Sequence, residues 1–428
     1  MATVLAPAPA VRRVVALTYG FQFFFGLLVW VPVFYSYQRL VGLSDAEILG
    51  IQSIYYIVFC LFEIPTGLFA DRFDYRWSLG AGAGVLLAAN VLPVAEPSYA
   101  GFLAHWLLVA LARSLVSGAA SAYLFEYLRR AGRGDDYQRA EGRGRAYSLV
   151  GKIVVWPVAG LLLSWQMTSV YWLTALNAAI ALLLVLGLPR LPPEPADEPG
   201  DHRPVGPAAP DDRRPPLRDT LTGAFAQLRG SRILVLIMFQ GVAIFTLARI
   251  GQVNLFQPIL ESKHVPLAWH GLVMSAMTLF EVFGAARSHR VRAVLGDLRA
   301  VFALTALMAG ALALVVPVEA ALVVACLCVF SLASGLSYPI QRKLLNEAIT
   351  DSRYRATLLS TESILDRLVC ALVALALGGY LAAGRLDAFL GHAALGAGLL
   401  MAVLVPLFVL ARRVPPSAPA RRRTPGGS

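Results

Sequence analysis

Apolar residues recur along this chain in twelve stretches of roughly 20 residues, the length a helix needs to cross the hydrocarbon of a bilayer. They fall near 14–37, 47–70, 77–95, 100–127, 146–165, 168–188, 232–258, 267–287, 297–316, 319–342, 357–382 and 388–411. In lipid the backbone must satisfy its own polar groups, so runs this long predict helices. Pro65, Pro157 and Pro339 lie inside them and predict kinks, not ends. The pattern predicts an all-α membrane protein with twelve transmembrane helices in two six-helix bundles, residues 1–188 and 231–411. Between the bundles, residues 189–218 are rich in Pro, Asp and Arg and almost free of large apolar side chains, as in a flexible linker. Leu217, Leu221, Phe225 and Leu228 then recur at helical spacing beside Arg218 and Arg229. That pattern predicts a short amphipathic helix on the membrane surface, closing a cytoplasmic segment over 189–230. Residues 412–428 read as a disordered tail.

Composition and charge agree. A hydrophobic share of 57% with 15% charged residues and a mean hydropathy of +0.65 excludes a soluble domain. The net charge of +11 could suggest nucleic acid, but its placement excludes that reading. Arg and Lys concentrate in alternate loops: Arg12 and Arg13, Arg72 and Arg76, 129–145, 190–232, 287–299, 342–355, and 412 onward. The intervening loops hold only Arg39, Lys263 and Arg385. This asymmetry predicts a multi-pass protein of the cytoplasmic membrane with both termini in the cytoplasm. The first apolar run continues to about Tyr37, too long for a signal peptide, and reads as a retained span. Cys60, Cys326, Cys328 and Cys370 all lie in apolar runs and read as packing residues.

The second half repeats the first. LFEIPTGLFADR at 61–72 matches LFEVFGAARSHR at 279–290, placing Glu63 against Glu281. RSLVSG at 113–118 matches FSLASG at 330–335, and RGRA at 143–146 matches RYRA at 353–356. Transporters are built from such repeats, with substrate near the midplane between the halves. Gly67-Leu-Phe-Ala-Asp71-Arg72, with Arg76 following, resembles the loop motif between the second and third helices of the major facilitator superfamily. Asp74 and Trp77 stand where that motif usually has its second Gly and last basic residue. The resemblance covers essentially the whole chain. It implies the major facilitator fold, alternating access, and a conformational switch at Gly67, Asp71, Arg72 and Arg76. The Asp71 carboxylate is expected at the start of helix 11, where the helix dipole would stabilise it by about 0.3–1 kcal/mol.

Ionisable residues inside spans are expensive and functional by default. At ~1.5 Å per residue, Glu63 lies roughly 12 Å and Lys152 roughly 10 Å from the cytoplasmic ends of helices 2 and 5. Glu281 and Glu362 lie at similar depths, with Asp366 and Arg367 about a turn deeper than Glu362. In the family this chain resembles, helix 2 packs on helix 11 and helix 5 on helix 8. The resemblance therefore implies a Glu63–Arg367 pair and a Lys152–Glu281 pair, related by the pseudo-two-fold, that close the cytoplasmic side. Glu63 or Glu281 is the expected proton carrier. The alternative for each pair is that it only fixes helix packing, and for Lys152 that it snorkels to the interface.

Arg113, near the middle of helix 4, fits an anionic substrate, a proton pathway, or a simple structural pairing. Arg249, Gln240 and Asn254, with Gln252 and Gln257, make helix 7 too polar to face lipid and are expected to line the cavity. Tyr19, Gln22 and Trp30 of helix 1 are candidates for its wall, with an interfacial aromatic belt as the alternative. Trp156-Pro157-Val158-Ala159-Gly160 keeps only part of the helix 5 signature of the family's drug antiporters. No Walker A loop, no H-E-x-x-H and no G-x-S-x-G occurs, so neither an ATP-driven pump, a metal site nor a hydrolase is expected. The sequence thus predicts a non-enzymatic, monomeric transporter without a cofactor, whose partners are a small organic substrate, protons and the lipid bilayer. The leading expectation is proton-coupled efflux, the alternative metabolite uptake or facilitation, and a non-transporting membrane sensor the third.

Overall fold

The computed structural model of the protein describes residues 8–72, 74–192, 217–351 and 354–413. Among these residues there is no strand, and twelve helices are long and apolar enough to cross a membrane. The apolar runs lie where the sequence places them, but several helices reach further. The helix of span 5 begins at Tyr137, span 8 continues to Leu295 and span 10 to Ala348. These extensions carry Arg139, Arg143, Arg290, Arg292 and Lys343. A hydropathy window sees only the part of a helix that suits hydrocarbon, whereas the backbone stays helical past the interface, where water solvates its charged turns. Most of the linker, 193–216, and the tail beyond Arg413 lie outside the described residues. Leu217–Gly230 is a helix, lying with Gly223 against the Tyr354 ring and Gln227 against Thr350.

Two bundles of six repeat the same packing. In the first, span 3 packs on spans 4 and 6, span 1 on 5 and 6, and span 2 on 4; in the second, span 9 packs on 10 and 12, span 7 on 11 and 12, and span 8 on 10. Across the seam, span 2 meets span 11 and span 8 meets span 5. Small residues allow the closest approaches within a bundle, since helices in lipid gain by packing rather than by hydrophobic burial. A Cβ on Gly335 would stand 2.0 Å from the Glu281 carbonyl oxygen, and one on Gly284 2.4 Å from that of Leu332.

Spans 1 and 7 are irregular at corresponding depths. The first helix, Ala8–Gly26, stops, and the chain resumes as a 3-10 turn at Val31–Val33. The freed backbone groups find side-chain partners. Val29 N donates to Thr174 Oγ1 at 3.0 Å, while the Leu27 and Leu28 carbonyls accept from Asn177 Nδ2 and Trp156 Nε1, each at 3.0 Å. Span 7 carries a π-helical segment at Ile250–Leu255. Gly26 and Pro32 bracket the first irregularity, and Gly251 and Pro258 accompany the second. Irregular backbone at membrane depth survives only where the protein satisfies it. Thr174→Val is therefore expected to strand the Val29 N–H and lower stability by about 1–3 kcal/mol. Thermal unfolding checks this, and an unchanged Tm would show that the break does not depend on the hydroxyl.

Trp30 belongs to this irregular stretch and not to a cavity wall, which corrects the expectation from sequence. It is 1% exposed, donates from Nε1 to Asn90 Oδ1 at 2.8 Å, and is packed by Phe34, His105, Trp106 and Tyr171. Its aromatic surface is spent inside the first bundle.

Candidate functional site at the seam between the bundles

The seam differs at its two ends. At the end opposite the basic loops it is closed by polar contacts and by backbone. Gln257 Oε1 accepts from the N–H groups of Tyr35 and Ser36 at 2.9 and 3.2 Å, and its Nε2 donates to the Val31 carbonyl. Ser36 Oγ donates to Glu261 at 2.5 Å, and Tyr56 to Asn254 Oδ1 at 2.8 Å. Glycines permit the backbone contact. A Cβ on Gly271 of span 8 would stand 1.8 Å from the Trp156 carbonyl oxygen, and one on Gly160 of span 5 would stand 2.2 Å from that of Leu267. Composition and motif reasoning did not single out Gly271, Ser36 or Glu261. The signal available for Gly160 was its place in the partial helix 5 signature.

Toward the basic end, one ion pair spans the seam among the described residues. Arg367 Nη1 lies 2.8 Å from Glu63 Oε2, and its guanidinium sits 4.0 Å from the centre of the Phe59 ring. Both partners are largely shielded, at 15% and 26% exposure. The pseudo-symmetric Lys152–Glu281 ion pair is not formed. Glu281 instead accepts from Gln252 Nε2 at 3.2 Å, and the Lys152 ammonium lies 5.7 Å from the Trp156 ring. Gln252, which reaches Glu281, belongs to the π segment of span 7. Arg113 is exposed and has no carboxylate partner among the described residues; its contact is the Tyr55 hydroxyl at 3.4 Å.

Most of the other residues singled out from sequence are engaged within one bundle. Glu362 is paired with Arg342 at 2.8 Å and is 1% exposed, its other oxygen lying over Gly241, where a Cβ would come within 2.1 Å. Asp366 holds Arg249 at 2.8 Å and accepts from Thr246 at 3.1 Å. These two carboxylates, one turn apart on span 11, both tie that helix into the second bundle. Gln240 donates to Thr305 at 2.8 Å and is buried between spans 7 and 9, so it does not line a cavity. Gln22 lies against Gly144 of span 5, and the Tyr19 ring lies 5.5 Å from that of Tyr147. Both are therefore in the span 1–span 5 contact near the basic end. Asn254, expected at the cavity, is 1% exposed and sits in the closed part of the seam.

The loop between spans 2 and 3 is described in part. The side chains of Asp71 and Arg72 lie outside the described residues. Among the described residues, no atom outside its own helix lies within 4 Å of the place a Cβ would take on Gly67. Asp74 caps span 3, accepting from Arg76 N at 3.1 Å and pairing with its guanidinium at 2.8 Å. Burial raises the Asp74 carboxyl pKa, but the Arg76 hydrogen bonds outweigh it and hold the group below the usual carboxylate range. Arg76 also donates to the Leu188 carbonyl at 3.1 Å, so it fastens the loop to the end of span 6. No cluster of metal-ligating side chains occurs among the described residues.

Two bundles with a repeated packing, polar residues at their seam and closure at one end compose a transporter fold. The sequence profile of the Major Facilitator Superfamily matches residues 15–361. The chain belongs to the Major Facilitator Superfamily. Solved structures of the same fold include the nucleoside transporter NupG, 15% identical, with 93% of this chain and 99% of that one covered and a TM-score of 0.71. A bacterial homologue of the human lysosomal transporter Spinster, in an inward-facing and unoccupied conformation, is 16% identical, with 95% and 98% covered and a TM-score of 0.68. A POT family transporter in complex with a thioalcohol conjugated peptide is 11% identical, with 94% and 96% covered and a TM-score of 0.69. No curated protein sequence matches. This superfamily member is thus a multi-pass membrane transporter for small molecules.

Proposed function

We propose that this transporter works by alternating access, exporting a small organic anion in exchange for protons, with Glu281 as the proton-binding carboxylate. The observation that supports Glu281 is its freedom. A proton carrier must change charge without dismantling the fold, and Glu281 forms no ion pair among the described residues, its hydrogen bond being to Gln252. Glu63, Glu362 and Asp366 are each held in an ion pair of 2.8 Å and are better suited to fixing geometry. Glu63 and Arg367 then serve as the latch on the basic side, and Lys152 as the cation that Glu281 meets when that side closes fully.

Arg113, which has no carboxylate partner among the described residues, supports an anionic substrate. With the basic loops in the cytoplasm, as the charge asymmetry implies, outward movement of an anion runs with the membrane potential, worth about 2.3 kcal/mol per charge per 100 mV. Uptake by proton symport is the alternative that the same measurement decides. Proteoliposomes loaded with a pH-sensitive dye would be challenged with a panel of organic anions. The expected result is a substrate-driven proton flux opposite in direction to the anion. Glu281→Gln should abolish it by at least tenfold while leaving anion exchange intact. Proton flux parallel to the anion would establish uptake symport, and undiminished proton flux in Glu281→Gln would remove Glu281 as the carrier.

A further inference from the structure

A second polar site lies far from the seam. At the basic end of the first bundle, a cleft of about 320 Å3 opens between the start of span 1 and the hairpin joining spans 4 and 5. Arg12, Arg133, Arg139, Arg143, Asp136 and Tyr19 line its polar part, with Val11 and Val15 at its apolar wall. Arg133 is committed to Asp136 at 2.6 Å. Arg12, Arg139 and Arg143 form no ion pair among the described residues, and all three are exposed. Glu141, on the same helix as Arg139 and Arg143, is engaged by Ser121 at 2.9 Å and Arg145 at 3.4 Å. Three uncompensated guanidinium groups around one cleft repel one another, and an anion bridging them relieves that repulsion with charge-assisted hydrogen bonds.

The surroundings indicate which anion. The cleft sits at the charged ends of membrane spans, the level of lipid headgroups. Directly beside it, span 5 presents Tyr147, Val150 and Val154, which are 54%, 55% and 66% exposed and face outward from the bundle. Tyr147 packs on Tyr19 at the cleft itself. An anion in the cleft therefore stands at the head of an apolar strip. We propose that this cleft binds the headgroup phosphate of an anionic phospholipid, with an acyl chain laid along the outer face of span 5. Arginine forks suit phosphate oxygens, and basic pockets at span ends are where anionic headgroups are held.

Native mass spectrometry of the full-length protein, purified in detergent with added phosphatidylglycerol or phosphatidylcholine, tests this. Phosphatidylglycerol is expected to remain bound and phosphatidylcholine to dissociate. Arg143→Gln should weaken retention roughly fivefold, and the Arg12→Gln, Arg139→Gln, Arg143→Gln triple variant should lose it. Arg145→Gln removes the same charge from the same helix outside the cleft and should retain the lipid. Equal retention of the two lipids, or equal retention by wild type and the Arg143→Gln variant, would overturn the proposal. So would displacement of the lipid by glycerol 3-phosphate, which would reassign the cleft to a soluble phosphate. Because the readout is bound lipid and not transport, it is independent of the reading given to Glu281.

Discussion

Arg367→Glu is expected to abolish transport and lower Tm, and Glu63→Arg in the same chain to restore much of both. The single change places two carboxylates where an ion pair of 2.8 Å stood, and leaves neither with a cation. Exposed pairs contribute at most about 1 kcal/mol, whereas breaking a buried one costs about 3–5 kcal/mol. With its partners 15% and 26% exposed, this pair lies between those limits, and a loss on the order of 2 kcal/mol is expected. Transport should suffer more than stability, because among the described residues this is the ion pair that links the bundles toward the basic end. The swapped pair should not recover everything, since Arg367 also lies over the Phe59 ring and its replacement by Glu removes that contact. Arg367→Lys should therefore keep the charge and lose the stacking contribution. Thermal unfolding of wild type, Arg367→Glu, Glu63→Arg and the double variant, with flux measured on each, gives the coupling energy. Additive damage in the double variant would mean that the two side chains do not act as a pair.

Gly271→Leu is expected to arrest the transport cycle with the far end open. A Cβ there would meet the Trp156 carbonyl oxygen at 1.8 Å, and the obstacle is backbone that no rotamer change can move aside. Closing the far end would require spans 5 and 8 to part. A penalty on the order of 5 kcal/mol suffices to turn a 99:1 preference for the closed arrangement into 1:99, and this overlap exceeds that. The fold itself should survive, because Gly271 faces the other bundle and not its own. Gly335 supplies the contrast. It meets the Glu281 carbonyl oxygen within the second bundle, so Gly335→Leu should unfold that bundle in every conformation. A membrane-impermeant maleimide applied to Val33→Cys, a position fully buried near the far end, distinguishes them. Labelling should rise sharply with Gly271→Leu, with Tm nearly unchanged. Continued protection of Val33→Cys together with normal flux would show that the glycine contact is not required for closure.

The two cross-seam bridges show how far symmetry carries. Glu63 and Glu281 are mates in the repeat, and so are the spans that carry Arg367 and Lys152. One bridge is formed and the other is not, and Glu281 accepts from Gln252 instead. A repeat preserves backbone packing, which depends on many small contacts, more faithfully than it preserves any single polar pair.

Sequence by itself determined the twelve spans, the two halves and the family, because length and hydropathy are summed over twenty residues at a time and no single contact decides them. Only tertiary structure decided where side chains point. Glu362 and Asp366 sit among the seam residues in the sequence yet turn into the second bundle toward Arg342 and Arg249. Trp30, which reads as a cavity wall, fills the first bundle instead. Gln240 pairs with Thr305, and the far-end closure assembles Ser36, Gln257 and Gly271 from three spans with no local signature. The break in span 1 had a trace in Gly26 and Pro32, but the partners that make it tolerable, Thr174, Asn177 and Trp156, come from spans 5 and 6. A rotation of 100° per residue about a helix axis is invisible to hydropathy unless one face meets water, and in a bilayer both faces are apolar.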